Sequence, residues 1–309
     1  MRILMLGAGG VGGYFGGRLH SGGADVTFLV RPKRAAQLRE FGLRIHGMRD
    51  ELCIRDPKLL ISGEPSSGRF DLVIVSCKAY DLASSIDAIR PHMQADTLIA
   101  PLLNGLKHLD ILDAAFGAQR VLGGLAQVST TLDAQGDIRQ FTDMHTLIYG
   151  ARDPSQSTAA EAVDRALKQG QFDARLSRDI LLEMWEKFVL LTSLASMTCL
   201  MRANVGELAA TKDGAALMAR MLDECAATAA AAGHAPRPKF MASIRGFLTQ
   251  VGSPLEASMR RDLEQGRRTE AEHVVGDMLR RAQAAGVDAT LLQAAFCHLQ
   301  AHEQRIARS

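Results

Sequence analysis

The run Gly7-Ala8-Gly9-Gly10-Val11-Gly12 follows directly on the apolar stretch Ile3-Leu4-Met5-Leu6 and leads into residues 14–20, which read as a helix. Each glycine has its own physical task in such a turn. Gly7 allows the tight passage from strand to helix, Gly9 lets the backbone approach a pyrophosphate, and Gly12 lets the helix pack on the strand. The N–H groups at the helix start and the positive end of its dipole then attract phosphates. A glycine-rich turn without a ligand is the alternative. Its position between a strand and a helix points to a dinucleotide held by residues 7–12.

A second apolar run, residues 25–30, ends on Arg31, with Lys33 and Arg34 behind it. A coenzyme without a 2′-phosphate is usually met here by Asp or Glu, which accepts hydrogen bonds from the ribose. A carboxylate would repel a 2′-phosphate and a guanidinium can clamp one, so Arg31 favours NADPH over NADH. A solvated basic turn opening the next helix is the other account of these charges.

Hydride transfer to a carbonyl needs a group that donates a proton or positive charge to the oxygen. Lys78 and Asn104 each stand where an apolar run gives way to a turn, at the carboxyl ends of strands that face the crevice in a doubly wound sheet. Lys78 suits a ribose hydroxyl or a substrate carboxylate. Asn104, with donor and acceptor, suits a carboxamide or a hydroxyl, and both residues equally suit helix capping. Lys187 precedes turns that carry no charge, in Met184-Trp185-Glu186-Lys187-Phe188-Val189-Leu190-Leu191-Thr192. An apolar wall lowers a lysine pKa and makes it a better acid near neutrality. Glu183, four residues earlier, offers it an ordinary surface pair instead. Glu270 could serve Lys187 or a ribose hydroxyl, or simply sit in a helix's first turn after Thr269. Ser258 is a candidate substrate contact or a plain helix residue. His298 and His302, beside Cys297, have ligand spacing on a helix but no convincing third ligand, so no metal is expected.

These residues need a scaffold of two kinds. Apolar β-branched runs at 71–76, 97–103 and 121–129 alternate with helical stretches, as in a Rossmann-type doubly wound sheet. Residues 43–46 and 52–54 read as a small inserted hairpin, which 60–62 would continue, and 138–140 with 146–149 as a closing antiparallel pair. From about Arg175 strand signals vanish. Helices are expected over 179–200, 213–232, 238–250, 255–265, 270–285 and 289–305. The sequence thus divides into a dinucleotide-binding domain, 1–174, and an all-helical substrate and catalytic domain, 175–309. The net charge is +2 over 309 residues, with no basic tract, which disfavours nucleic acid as a partner. Five widely spaced cysteines and the absence of a leader suggest reduced thiols and a cytoplasmic location. The longest uncharged stretch, 188–201, is too short to span a membrane. Apolar faces of the helical half could pair two subunits.

Taken together, the sequence resembles the ketopantoate reductase (2-dehydropantoate 2-reductase) family along nearly its whole length. The segments that carry the resemblance are Gly7 to Gly12 with Tyr14 and Gly16, Arg31, Cys77-Lys78-Ala79, and Leu103-Asn104-Gly105. They continue with Trp185-Glu186-Lys187, Gly206-Glu207-Leu208, Ser258-Met259 with Asp262, and Gly266 to Glu270. The resemblance implies NADPH-dependent reduction of 2-dehydropantoate to pantoate, a step of pantothenate and coenzyme A synthesis. It implies that Lys187 gives the proton, with Glu270 its partner near the nicotinamide ribose. Asn104 would touch coenzyme and substrate, Ser258 the substrate carboxylate, Arg31 the 2′-phosphate, and Lys78 the coenzyme. The family carries Asn one and two turns after that lysine, where this sequence has Leu191 and Ala195. Thr192, Ser196 and Asn204 are the polar residues available to replace those amides. A different, less hydroxylated 2-keto acid is the alternative substrate, and a non-catalytic NADPH-binding sensor the alternative function.

Overall fold

Uncharged, β-branched runs bury both faces of a strand, which is the requirement at the centre of a parallel sheet. The computed structural model of the protein describes residues 1–64 and 68–308. It builds that sheet from β1 (Arg2–Leu6), β2 (Asp25–Val30), β5 (Leu59–Ile61), β6 (Leu72–Val75) and β7 (Leu98–Pro101). They run in the order β5-β2-β1-β6-β7, all parallel. Ile3, Leu4, Met5, Leu72, Val73, Ile74 and Val75 are fully buried in its two central strands. Each such side chain contributes about 1.5–3 kcal/mol. α1 (Gly10–Ser21), α2 (Pro32–Phe41), α3 (Leu82–Ile89) and α4 (Lys107–Phe116) connect or follow these strands.

A second sheet lies on the other face of α1. It comprises β3 (Leu43–His46), β4 (Glu51–Ile54), β8 (Gly123–Leu132), β9 (Ile138–Gly150) and β10 (Asp173–Leu176), with α5 (Ser157–Leu167) leading into β10. β9 pairs antiparallel with β8 along one edge, and parallel with β3 and then β10 along the other. The small glycines of α1 permit this sandwich. A Cβ at Gly16 would strike Phe28 of the first sheet, and one at Gly17 would strike Ile45 of the second.

Two expectations are corrected here. Residues 60–62 do not continue the β3–β4 hairpin; β5 pairs in parallel with β2 and forms the edge of the main sheet. Residues 138–140 and 146–149 are one strand, not a pair, because the chain reverses earlier. Gly136 takes φ +79 and Asp133 accepts the N–H groups of Gln135 and Asp137, whereas residues 141–144 contain neither Gly nor Pro to turn on.

The chain falls into two compact units, Met1–Leu103 with His108–Ile180, and Asn104–Lys107 with Leu181–Ser309. The second unit is helical: α6 (Ile180–Met201), α7 (Val205–Ala209), α8 (Gly214–Ala231), α9 (Pro238–Leu248), α10 (Ser258–Glu264), α11 (Ala271–Ala284) and α12 (Thr290–Ile306). The junction expected between residues 174 and 175 lies inside β10, whose partner β9 belongs to the sheet unit. No helix among the described residues is long and apolar enough to cross a membrane.

α6 is the spine of the helical unit. Met184, Trp185, Phe188, Val189 and Met197 are buried along it, and the buried Glu186 accepts the backbone N–H of Arg237 at 2.9 Å and its Nε at 2.8 Å. Glu224 of α8, also buried, accepts the N–H groups of Leu291 and Leu292 at 3.2 and 3.0 Å. It caps α12 from a neighbouring helix, which α12's own N-cap residue, Ala289, cannot do.

Candidate active site

In the sheet unit the candidate residues gather at the carboxyl ends of β2, β1 and β6, which are neighbours in that order. Gly7 leaves β1 with φ +89, a region costly for any side chain, and its N–H donates to Leu29 O at 2.9 Å. A Cβ on Gly12 would fall onto Ser76 Oγ and stand 2.6 Å from Gly7 O, so the helix can approach β6 this closely only without a side chain. Ser76 Oγ itself donates to Leu6 O at 2.8 Å. At Gly9 an added Cβ would meet nothing within 4 Å. This open ground lies in front of the first turn of α1.

The first hydrogen bond of α1 runs from Gly13 N–H to Gly9 O at 2.8 Å, and no side chain caps the helix. The N–H groups of Gly10, Val11 and Gly12 therefore have no acceptor within the helix. Together with Ala8 and the space over Gly9 they fit a pyrophosphate, with backbone donors and a favourable dipole.

Arg31 is the N-cap residue of α2, exposed, with Nη2 3.1 Å from Asp81. Lys78 is exposed at the start of the short 3-10 turn 79–81 after β6. The two cations thus flank the glycine turn, which lies at the end of the strand between theirs.

In the helical unit Lys187 is the cation whose chemistry burial alters most. Burial pushes its pKa down to about 8, and the nearby negative charge of Glu270 partly opposes that shift. Glu270 is buried, and as the N-cap residue of α11 it lies directly before the helix. Thr269 does not cap this helix with a short bond. Its hydroxyl and N–H both go to Glu303, at 2.6 and 2.7 Å, while Ala271 N–H reaches the hydroxyl at 3.4 Å.

Asn104 is half-buried in a segment that packs with the helical unit although it follows β7 in the chain. That segment is pinned to α11. Gly105, at φ +80, leaves no room for a Cβ, which would stand 2.8 Å from His273 O, and Lys107 Nζ lies 3.5 Å from Glu272. Ser258 is exposed at the first position of α10.

None of the three polar residues available to replace the family's amides stands on the lysine's face of α6. Successive helical residues rotate by about 100°, so Leu191 and Ala195 stand roughly 40° and 80° round α6 from Lys187, but Thr192 and Ser196 roughly 140° and 180°. Thr192 and Ser196 are fully buried, and their hydroxyls have no partner among the described residues. Asn204 closes a capping box at α7: its Oδ1 accepts Glu207 N–H, and Glu207 accepts Asn204 N–H, both at 2.8 Å. The face of α6 that carries Lys187 therefore continues as hydrocarbon.

His273 was passed over in the sequence, although it stands three residues after Glu270, one helical turn on. Its Nε2 is buried with no partner among the described residues, and burial lowers its pKa. No group of three or more metal-ligating side chains gathers among the described residues. His302 instead sets Nε2 against Arg267 O at 2.9 Å.

The model described as Ketopantoate reductase PanE/ApbA matches residues 3–154, and that described as Ketopantoate reductase PanE/ApbA C terminal matches residues 179–303. An uncharacterized oxidoreductase of Bacillus subtilis, YkpB, is 33% identical over 98% of this chain and 99% of its own length. The 2-dehydropantoate 2-reductase of Archaeoglobus fulgidus is 26% identical, with 93% of this chain and 92% of the relative covered. The crystal structure of 2-dehydropantoate 2-reductase from Geobacter metallireducens aligns with a TM-score of 0.87 at 26% identity, covering 97% of this chain and 99% of the other. The ternary structure of D-mandelate dehydrogenase with NADH and anilino(oxo)acetate shares the fold, with a TM-score of 0.89 at 22% identity and coverage of 99% and 100%.

The family match makes this chain an oxidoreductase acting on CH–OH groups with a nicotinamide coenzyme, a class that the glycine turn at the carboxyl edge of a parallel sheet fits. The chain belongs to the ketopantoate reductase family.

Proposed function

We propose that this protein reduces a 2-keto acid to the 2-hydroxy acid with NADPH, and that Lys187 supplies the proton. The observation that carries the proposal is the lysine lowered to about 8 beside a buried carboxylate. An ammonium of that pKa is roughly ten-to-one protonated at pH 7, yet gives up its proton far more readily than a surface lysine. When bound, NADPH supplies the hydride. Lys187 polarises the keto oxygen and then protonates it, and Glu270 keeps the lysine charged until it does. Asn104 offers a donor and an acceptor to coenzyme and substrate, and Ser258 a hydroxyl to the substrate carboxylate.

Arg31 supports NADPH rather than NADH, because an exposed guanidinium follows β2, at the position from which folds of this kind usually read the adenosine ribose. Arg31→Ala is expected to weaken NADPH binding by about 10–100-fold while NADH changes less than about 2-fold. Fluorescence titration with both coenzymes measures this, and equal losses for the two would remove the phosphate clamp.

The family relation makes 2-dehydropantoate the first substrate to test, and its product pantoate would place the enzyme in pantothenate and coenzyme A synthesis. A second reading rests on Leu191 and Ala195, which extend the lysine's face as hydrocarbon. It favours a keto acid with a bulkier, less hydroxylated side chain. A site that lacks the partner for a substrate hydroxyl pays the desolvation of that hydroxyl, which costs about 1–3 kcal/mol. A panel of 2-keto acids followed by NADPH absorbance decides: the highest kcat/KM on 2-dehydropantoate supports the first, and a preference of about 10-fold or more for an aliphatic or aromatic keto acid the second. Tight NADPH binding with no turnover on the panel would favour a sensor.

A further inference from the structure

We propose that Arg34 is a positioning residue for the coenzyme loop, which it ties to the turn between β8 and β9 so that the loop is shaped before a dinucleotide arrives. The inference rests on the dinucleotide reading of residues 7–12 and adds to it a residue bonded to the backbone of the loop itself.

Arg34 lies on α2, one turn after Arg31, but the two side chains behave differently. The guanidinium of Arg31 is exposed. That of Arg34 is spread between two backbone segments: Nε donates to Ala8 O at 3.1 Å, and Nη1 to Gly136 O at 2.9 Å and to Gln37 Oε1 at 2.6 Å. Gln37 in turn donates to Gln135 O at 2.5 Å. Ala8 is the second residue of the glycine turn, and 135–136 is the tip of the hairpin.

The tip is itself firmly held. Asp137 is buried and takes Arg44 Nε at 2.9 Å and His46 Nε2 at 3.2 Å from β3, while Asp133 accepts two backbone N–H groups and pairs with Arg139 at 2.9 Å. The same hairpin crowds the loop a second time. A Cβ on Gly10 would stand 3.2 Å from Thr130 Oγ1 and 3.4 Å from Thr130 O.

A glycine-rich turn has a high conformational entropy to lose on binding. A planar, always-charged fork that bridges two carbonyls removes part of that cost in advance. The bridge is geometric, so a lysine, with one point of attachment, cannot reproduce it.

The test is coenzyme titration and steady-state kinetics on the full chain, with NADPH and NADH. Arg34→Met is expected to raise the dissociation constants of both coenzymes alike, by about 10-fold. The turnover number at saturation should fall by less than about 3-fold, since a residue that only shapes the binding loop acts on coenzyme affinity and not on the proton donor. Arg34→Lys should behave like Arg34→Met. If Arg34→Met does not fold, Gln37→Ala loses one tie to the hairpin tip without touching the loop, and is expected to weaken both coenzymes by about 3-fold.

Full rescue by lysine would show that charge toward the phosphates matters, not the bridge, and would overturn the proposal. So would a loss confined to NADPH, or a folded Arg34→Met or Gln37→Ala that binds both coenzymes as the wild type does. A wild-type chain that binds neither coenzyme would overturn the dinucleotide reading and this proposal together.

Discussion

Lys187→Ala is expected to lower the turnover number for keto-acid reduction by about 10²–10⁴ with NADPH binding retained. The size follows from what is lost. The keto oxygen gains charge as hydride arrives, and without the ammonium only water or a weaker donor can meet it. Steady-state rates on the best substrate of the panel, with a coenzyme titration of the same variant, separate chemistry from binding. A rate within about 2-fold of wild type would take Lys187 out of the mechanism.

The pH dependence gives the same residue a second readout. Reduction needs the protonated lysine, so its rate should hold below pH 8 and fall as pH rises through about 8. Oxidation of the hydroxy acid needs the neutral amine and should rise over the same interval. Glu270 holds the lysine pKa up, so Glu270→Gln should move the falling limb to lower pH. A limb that stays in place would mean that another group titrates.

Gly12→Ala should be nearly as damaging, for a steric reason. The new Cβ meets Ser76 Oγ and lies 2.6 Å from Gly7 O, and the second of these is backbone of the coenzyme loop itself. Relief requires that α1 move away from β6 or that the loop change shape. Overpacking of this kind costs about 1–3 kcal/mol of stability, and displacement of the loop should weaken both coenzymes by more than about 10-fold. Thermal denaturation and coenzyme titration measure the two effects. Combining Gly12→Ala with Ser76→Ala removes the clash with Oγ, keeps the tight 3.2 Å approach to Cβ of residue 76, and leaves the backbone clash at Gly7 O. The double variant should therefore remain impaired, and full recovery would show that the close approach to Gly7 is not the constraint.

The strand, glycine turn and helix of residues 1–21 were legible in the sequence because every cause is local. A buried run, a residue that must take φ +89 and a helix without a cap all lie within one short segment. The six principal helices of the second half were legible through their spacing. β10 escaped notice because it is four residues long and owes its strand form to pairing with β9, over twenty residues earlier in the chain; α5, which leads into it, was passed over as well. β5 was assigned to the wrong partner for the same reason: three apolar residues do not say which edge they will join.

Sequence by itself determined the family, the two kinds of scaffold and the list of chemical groups, since periodicity and motif spacing are properties of the chain. Tertiary structure alone decided what each group can do. A lysine with a glutamate four residues before it can be a surface ornament or an acid, and only the packing around α6 lowers Lys187 to about 8. Arg31 and Arg34 look alike in a basic turn, yet one is left in solvent and the other is drawn across two backbones. Desolvation and bridging are set by neighbours distant in sequence, and those neighbours exist only once the chain has folded.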